Sequence, residues 1–212
     1  MDLLGGFAVM CRDSREYQGH GWGAAWIDAD GSWATHHSLK PIWEDRLPHL
    51  PPTRLFLAHA RSAFRNEGIM LSNAMPFVGG TLAFAFNGEI RGVRLRVPGA
   101  TGAWRLFNLL GSLLMREAGD GRLGASLERL NSIVRTRSTH VRGMNFVVSD
   151  SKRVWASSHP AEEGEYFTLR RLRIRDRLGS GVVVASEILP LQAVAEDSWE
   201  SLVMGSLIEV TP

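Results

Sequence analysis

The stretch Thr81-Leu82-Ala83-Phe84-Ala85-Phe86-Asn87-Gly88 decides how the rest of this chain is read. Its apolar run has the length of a strand buried on both faces, and it stops on an Asn-Gly pair. Asn-Gly is a common turn dipeptide, so a plain turn is the simplest reading of the pair alone. At a strand end the same pair can do chemistry. It offers the Asn87 carboxamide N–H and the Gly88 backbone N–H to a developing oxyanion, which an amide hydrolase needs beside its nucleophile and base. Glycine at 88 also permits positive φ and close approach of a substrate.

Working outward, strand-like runs lie on both sides. Leu3–Met10 is apolar at nearly every position and bounded by Arg12-Asp13, which predicts a buried strand. Gly19-His20-Gly21-Trp22-Gly23 is a glycine-rich turn into a strand at Ala24–Ile27. Asp30-Gly31 has hairpin chemistry, with Ser32–His37 returning. Pro41–Pro52 is a connection, and Leu55–Ala58 is another buried strand. Two helices follow. Leu106, Leu109, Leu110, Leu113 and Leu114 recur at helical spacing within Trp104–Arg116, which Gly119-Asp120-Gly121 ends. Leu127, Leu130, Ile133 and Val134 mark the second helix, over Ala125–Val134. Beyond Thr139 strands return: Met144–Val148, a turn at Asp150–Arg153, Val154–Ser157, Tyr166–Leu178, Val182–Ser186 and Ser206–Val210. Strands, two helices and strands again favour an α+β fold over a strictly alternating one. With no repeat and no composition break, residues 1–212 read as a single domain.

Composition narrows the function classes. The 44% hydrophobic and 22% charged content is ordinary for a globular protein. A domain this long buries roughly 70% of its unfolded surface and needs no disulfide or metal staple. Cys11 is the only cysteine, so no intrachain disulfide forms and a cytoplasmic location is expected. The early apolar run is too short to span a bilayer and lacks a basic region before it, so neither a membrane anchor nor a signal peptide is expected. A net charge of +2 gives no global field for nucleic acid.

Ahead of Asn87-Gly88 lie Ala58-His59-Ala60-Arg61-Ser62-Ala63-Phe64 and Asn73-Ala74-Met75-Pro76-Phe77. Together these blocks resemble the glutamine-pocket signature of the class II (N-terminal nucleophile) glutamine amidotransferases, nearest to the small stand-alone proteins of that type. His20-Gly21-Trp22-Gly23, Asn145–Asp150, Ala185-Ser186-Glu187 and Trp199 with Gly205–Ile208 resemble further family blocks in the family's order. The resemblance implies a four-layer αββα sandwich and hydrolysis of the glutamine side-chain amide to release ammonia, without a cofactor. It implies that Arg61 binds the substrate α-carboxylate, that Asn87 and Gly88 form the oxyanion hole, and that His59 orders the loop. Asn73, Trp22 and Trp104 would stand at the pocket.

Two positions depart from the family. It begins Met-Cys, and this chain begins Met1-Asp2. A carboxylate is a poor substitute for a thiolate in attack on an amide. Methionine excision generally needs a small second residue, so Met1 is expected to stay and hold the catalytic amine away. The family also carries an acid for the substrate ammonium in a Thr-Asp-x-Glu-like block, where this chain reads Thr101-Gly102-Ala103-Trp104. Translation from Met10 would expose Cys11 but delete Leu3–Val9, so Cys11 reads as an ordinary thiol. The expectation is a degenerate glutaminase site in a binding or assembly subunit, partnering a synthase or synthetase or itself. The alternative is an amidase using another nucleophile or another amide. Arg170–Arg177 alternates arginine with Leu172 and Ile174, as in a half-buried strand with a solvated face. A third reading docks it on an acidic protein or RNA. His36-His37 diverge on a strand, so no metal site is expected.

Overall fold

The computed structural model describes residues 2–63, 65, 67–117, 119, 121–159, 164–176 and 179–211. Its N-terminal half contains α1 (Leu3–Asp13), β1 (Trp22–Ile27), β2 (Trp33–Ser38), β3 (Phe56–Ala60), β4 (Phe77–Gly79) and β5 (Leu82–Arg91). Two helices follow, α2 (Gly102–Leu114) and α3 (Arg122–Arg137). The remainder contains β6 (His140–Ser149), β7 (Val154–Ser157), α4 (Gly164–Phe167), β8 (Arg170–Asp176), β9 (Gly179–Ala185), β10 (Glu200–Ser201) and β11 (Leu207–Val210). Strand pairing is antiparallel throughout the named strands, in the orders β2-β1-β3, β10-β8-β9 and β11-β7-β6-β5-β4.

Side-chain alternation assembles these sheets into layers. On β5 and β6, Phe84, Met144, Phe146 and Val148 face the helices, packing with Leu106, Leu110 and Leu113 of α2 and Leu123, Leu127, Leu130 and Val134 of α3. Their neighbours Ala83 and Val147 face the other way, against Ala25, Ile27 and Leu57 of β1 and β3. Val184 of β9 likewise meets Ala156, Ile208 and Val210 on β7 and β11. Both three-stranded sheets therefore lie over one face of the large sheet, and α2 and α3 cover the other. The outer faces of the small sheets are covered by α1, which completes the αββα sandwich.

The first element overturns the strand expected at Leu3–Met10: it is a helix. Apolar residues at nearly every position suit a buried helix as well as a buried strand, and periodicity cannot separate the two. Two local features decide. The Asp2 carboxylate accepts the Gly5 N–H at 2.8 Å, capping the first turn. The apolar positions also divide into two stripes, each at spacing i, i+4, i+7. Leu4, Ala8 and Cys11 pack with Trp22, Ala24 and Ile42 outside the first small sheet. Leu3, Phe7 and Met10 pack with Leu172, Leu189, Leu191 and Trp199 outside the second. Gly6 permits the contact, because a Cβ there would stand 2.7 Å from Leu191 Cδ2.

The remaining elements follow the sequence closely, with one correction: β5 runs on through Asn87-Gly88 to Arg91, so the pair lies within the strand, its positive-φ glycine paired in the ladder, and not at a strand end. Asp28–Ser32 turns between β1 and β2, Asp150–Arg153 turns between β6 and β7, and both predicted helices form. The strand expected from Tyr166 starts at Arg170 instead, since Tyr166 and Phe167 lie in α4; its expected end, Arg177-Leu178, lies outside the described residues. Asp120 and Met1 lie outside them too. No helix among the described residues is long and apolar enough to cross a membrane.

The cap gives a direct test. Asp2→Ala should lower unfolding stability by about 1 kcal/mol in urea denaturation, while Asp2→Asn, which keeps an acceptor, should stay close to the parent. Equal midpoints for all three would deny the carboxylate a capping role.

Candidate functional site

Period-two geometry brings part of the expected site together. Leu57 faces the space between the sheets, so His59, two residues on, does too, and Arg61 follows in the same sense past the strand end. Across that space Ala83, Ala85 and Asn87 share the facing side of β5. His59 spans the gap by a hydrogen bond to the main chain of Phe86, the residue before Asn87. The Phe86 N–H is already given to Met75 Sδ at 3.3 Å, so the His59 ring donates to the Phe86 carbonyl. Burial, and to a lesser degree the Arg61 charge, hold His59 down to about 4, against the support of the Phe86 bond. Its Nδ1 is buried without a partner. At neutral pH His59 is thus an uncharged strut between two sheets.

Asn87 pairs across the sheet with Asn145, which is almost fully buried. The Asn145 carboxamide donates to the Phe167 carbonyl and accepts from the His159 N–H at 2.9 Å, so both its ends are spent. Gly88 pairs with Met144 at φ +153°. A Cβ at 88 would lie 2.0 Å from the Gly143 carbonyl oxygen, so only glycine fits there. The turn after α1 reaches this strand end. Glu16 pairs with Arg142 at 2.7 Å, and Arg142 lies 3.7 Å from Glu89, two residues beyond Asn87.

Arg61 is half-buried, and its guanidinium is turned onto its own loop. Nη1 donates to the Gly68 carbonyl at 2.6 Å and Nη2 to the Glu67 carbonyl at 3.2 Å. Burial lowers its pKa. The planar fork that suits a carboxylate is therefore satisfied by main-chain oxygens. Asn73 donates to the same Gly68 carbonyl at 2.9 Å, while its Oδ1 is buried and unpartnered. Gly68, at φ +62°, lies between Arg61, Asn73 and Thr101. Trp104 closes this corner: its ring stacks on Phe77 at 4.0 Å and its indole N–H donates to the Ser72 carbonyl at 2.7 Å. Thr101 caps α2 by accepting the Trp104 N–H, and Gly102 starts that helix with open space around it.

Two expected residues are not brought to this corner. Trp22 is fully buried on the outer face of its sheet, against α1, and donates to Asp45 at 3.0 Å. The register explains the correction: Gly23, not Trp22, lies opposite His59. A Cβ on Gly23 would stand 2.6 Å from the Met75 carbonyl oxygen, so the glycine admits the Met75-Pro76 segment to the sheet. Asp2 is exposed at the start of α1 and its carboxylate is bonded to Gly5. Cys11 is buried, and burial with the nearby Glu187 charge pushes its thiol far up, away from thiolate chemistry. Sequence reading assigned no role to His20 or Asn145. His20 Nδ1 accepts the Ala63 N–H at 2.9 Å and so fixes the chain just after Arg61; its place in the Gly-rich block was the available signal.

The basic strand β8 spends its first arginines within the fold. Arg170 donates to the carbonyls of Thr168 and Ser186, and Arg171 pairs with Glu200. Among the described residues no cluster of three or more His, Cys, Asp or Glu could hold a metal ion.

This architecture is the fold of class II glutamine amidotransferase domains. It is similar, at 20% identity and a TM-score of 0.59, to a glutamine aminotransferase class-II domain protein from Silicibacter pomeroyi, over 89% of this chain and 86% of that one. A predicted glutamine amidotransferase from Pseudomonas aeruginosa matches at 17% identity and a TM-score of 0.62, over 90% and 84%. Glutamine phosphoribosylpyrophosphate amidotransferase from B. subtilis matches at 15% identity and a TM-score of 0.58, over 86% of this chain but only 38% of that longer one. No family model and no curated protein matches the sequence.

Two outcomes follow from the geometry. Because His59 is held near 4 when folded and takes a proton near 6.5 when unfolded, the unfolded chain binds more protons between those values. The contribution is complete above about pH 6.5 and is lost as pH falls toward 4, by as much as ~3 kcal/mol. His59→Gln should flatten that part of the stability–pH curve in urea denaturation; an unchanged slope would contradict the assignment. Gly88→Ala should cost at least ~2 kcal/mol in the same assay, since the Gly143 carbonyl must be displaced.

Proposed function

We propose that this chain is a class II glutamine amidotransferase-like protein whose glutaminase site is degenerate, acting as a binding or assembly subunit. The observation that carries this reading is the state of Asp2. At the place of the family's thiol nucleophile stands a carboxylate whose hydrogen bond starts a helix. Cys11 cannot take over, because it is enclosed between α1 and the sheet. Gly102, at the position expected to carry the acid for a substrate ammonium, offers no charge.

The rest of the pocket retains parts that would suit glutamine or a related amide. Asn87 and Gly88 lie in the second half of β5, with Asn87 on its facing side, and Arg61 has a fork that a substrate carboxylate could take over from the Gly68 and Glu67 carbonyls. Such an exchange would require the loop at 67–68 to release the guanidinium. A carboxylate must then outcompete two hydrogen bonds already made, without an acid at 102 to hold the other end of the molecule. In this account the fold outlasts the chemistry, and its role is to dock a synthase or synthetase partner or a second copy of itself in the cytoplasm.

Glutamate and ammonia release from glutamine, compared between the parent chain and Asp2→Cys, tests the reading. Both are expected to be silent, with no saturable glutamine heat in calorimetry up to about 10 mM. Turnover by the parent would refute degeneracy. Activity gained by Asp2→Cys alone would mean the pocket is intact and only the nucleophile was lost.

A further inference from the structure

A cleft of about 520 Å³ lies away from the amidotransferase corner, between α3 and the end of the large sheet. One wall is a single stripe of α3, Glu128, Asn131, Ser132, Arg135 and Thr136, at spacing i, i+3, i+4, i+7, i+8. The other wall is His159, Gly205 and Leu207. It opens on the helix side of β7 and β11, because Trp155 packs with the α2–α3 core while Ala156 faces the small sheets. The cleft therefore lies on the opposite face of the large sheet from Asn87, and it is independent of the glutaminase reading.

Its polar groups are only partly used by the fold. Asn131 is 6% exposed; its Nδ2 donates to Ser157 Oγ at 2.9 Å, and its Oδ1 has no partner. Buried acceptors left unpaired are rare in folded proteins. Glu128 and Arg135 form no ion pair among the described residues, although both line the cleft. Burial first, and then the Arg135 guanidinium charge, lower the His159 pKa. The cleft thus has one anionic end, one cationic end, and amide and hydroxyl groups between them.

The spacing of the two residues along the helix gives a length to match. Seven residues of helix separate Glu128 from Arg135, an axial distance of about 10 Å. An extended tripeptide spans about 10 Å between its amine and its carboxylate. We propose that this cleft binds a zwitterion of tripeptide length, with its carboxylate on Arg135, its amine on Glu128 and its central peptide group on Asn131 and Ser132. A simple anion leaves Glu128 unanswered. The Asn131 carboxamide is the peptide-recognising element, since its unspent oxygen is an acceptor for a peptide N–H.

The test is a titration of the full chain, isotopically labelled, with triglycine, N-acetyltriglycine and triglycine amide, followed by amide chemical shifts. Triglycine should give saturable shifts centred on Asn131, Ser132, His159 and Gly205. Blocking either end of the peptide, or introducing Arg135→Gln or Glu128→Gln, should weaken binding about threefold to fivefold, as expected for solvent-facing ion pairs. Both substitutions fall on exposed side chains and leave the packed face of α3 untouched. No saturable shift by about 20 mM triglycine overturns the proposal. So does binding that neither end-blocking nor either variant changes.

Discussion

One hydrogen bond, from the Gly5 N–H to the Asp2 carboxylate, begins a helix where the sequence could have continued as a strand. The layering outside the small sheets depends on that choice. As a strand, Leu3–Met10 would present alternate residues to two faces of a sheet. As a helix it presents two apolar stripes about a hundred degrees apart, and one helix can then cover two separate three-stranded sheets. Glycine at position 6 weakens the helix intrinsically, yet it leaves room for the Leu189–Leu191 segment, which a Cβ there would meet at 2.7 Å. Tertiary packing outweighs propensity here, as is usual for short helices.

The same event separates the chain's polar groups into distinct sets. His59, Arg61 and Asn87 face the space between the sheets because of strand parity, which is fixed by Leu57 and Ala83 in the core. Asp2 belongs to the outer layer, where its carboxylate is committed to the helix. Between the sheets the electrostatics favour neutrality: His59 is held uncharged and Arg61 is wrapped in carbonyls. Burial is the leading cause of both shifts. Introducing a zwitterionic amino acid there without an acid at 102 would leave its ammonium poorly answered.

Legibility in the sequence varied with the physical signal. Helices α2 and α3 were readable because their leucines repeat at one spacing only. The start of strand β5 was readable because its apolar run is short, but its end was not: Asn87-Gly88 reads as turn chemistry, yet the ladder with β6 carries the strand through the pair to Arg91. The first helix was not, since an apolar run without polar punctuation carries no period, and its one cue, the acceptor at position 2, is a single residue. Trp22 was misplaced for a related reason. Adjacent residues on a strand point oppositely, and the choice between Trp22 and Gly23 depends on a register that only pairing with β3 reveals. The loop contacts of Arg61 were beyond reach because main-chain carbonyls leave no trace in side-chain identity. The cleft along α3 was invisible for another reason: a polar stripe on a helix is ordinarily a solvated face, and its opposite wall comes from residues 159–207.

Backbone chemical shifts and amide exchange for residues 3–13 distinguish a capped helix from a strand at this end of the chain. Helical shifts are expected across Leu3–Asp13, with protection from exchange at the amides beyond the first turn and a Gly5 amide sensitive to the Asp2 side chain. Extended shifts over Leu3–Met10, with cross-strand contacts to one of the small sheets, would contradict the helix and restore an N-terminal strand carrying Asp2 into the space between the sheets.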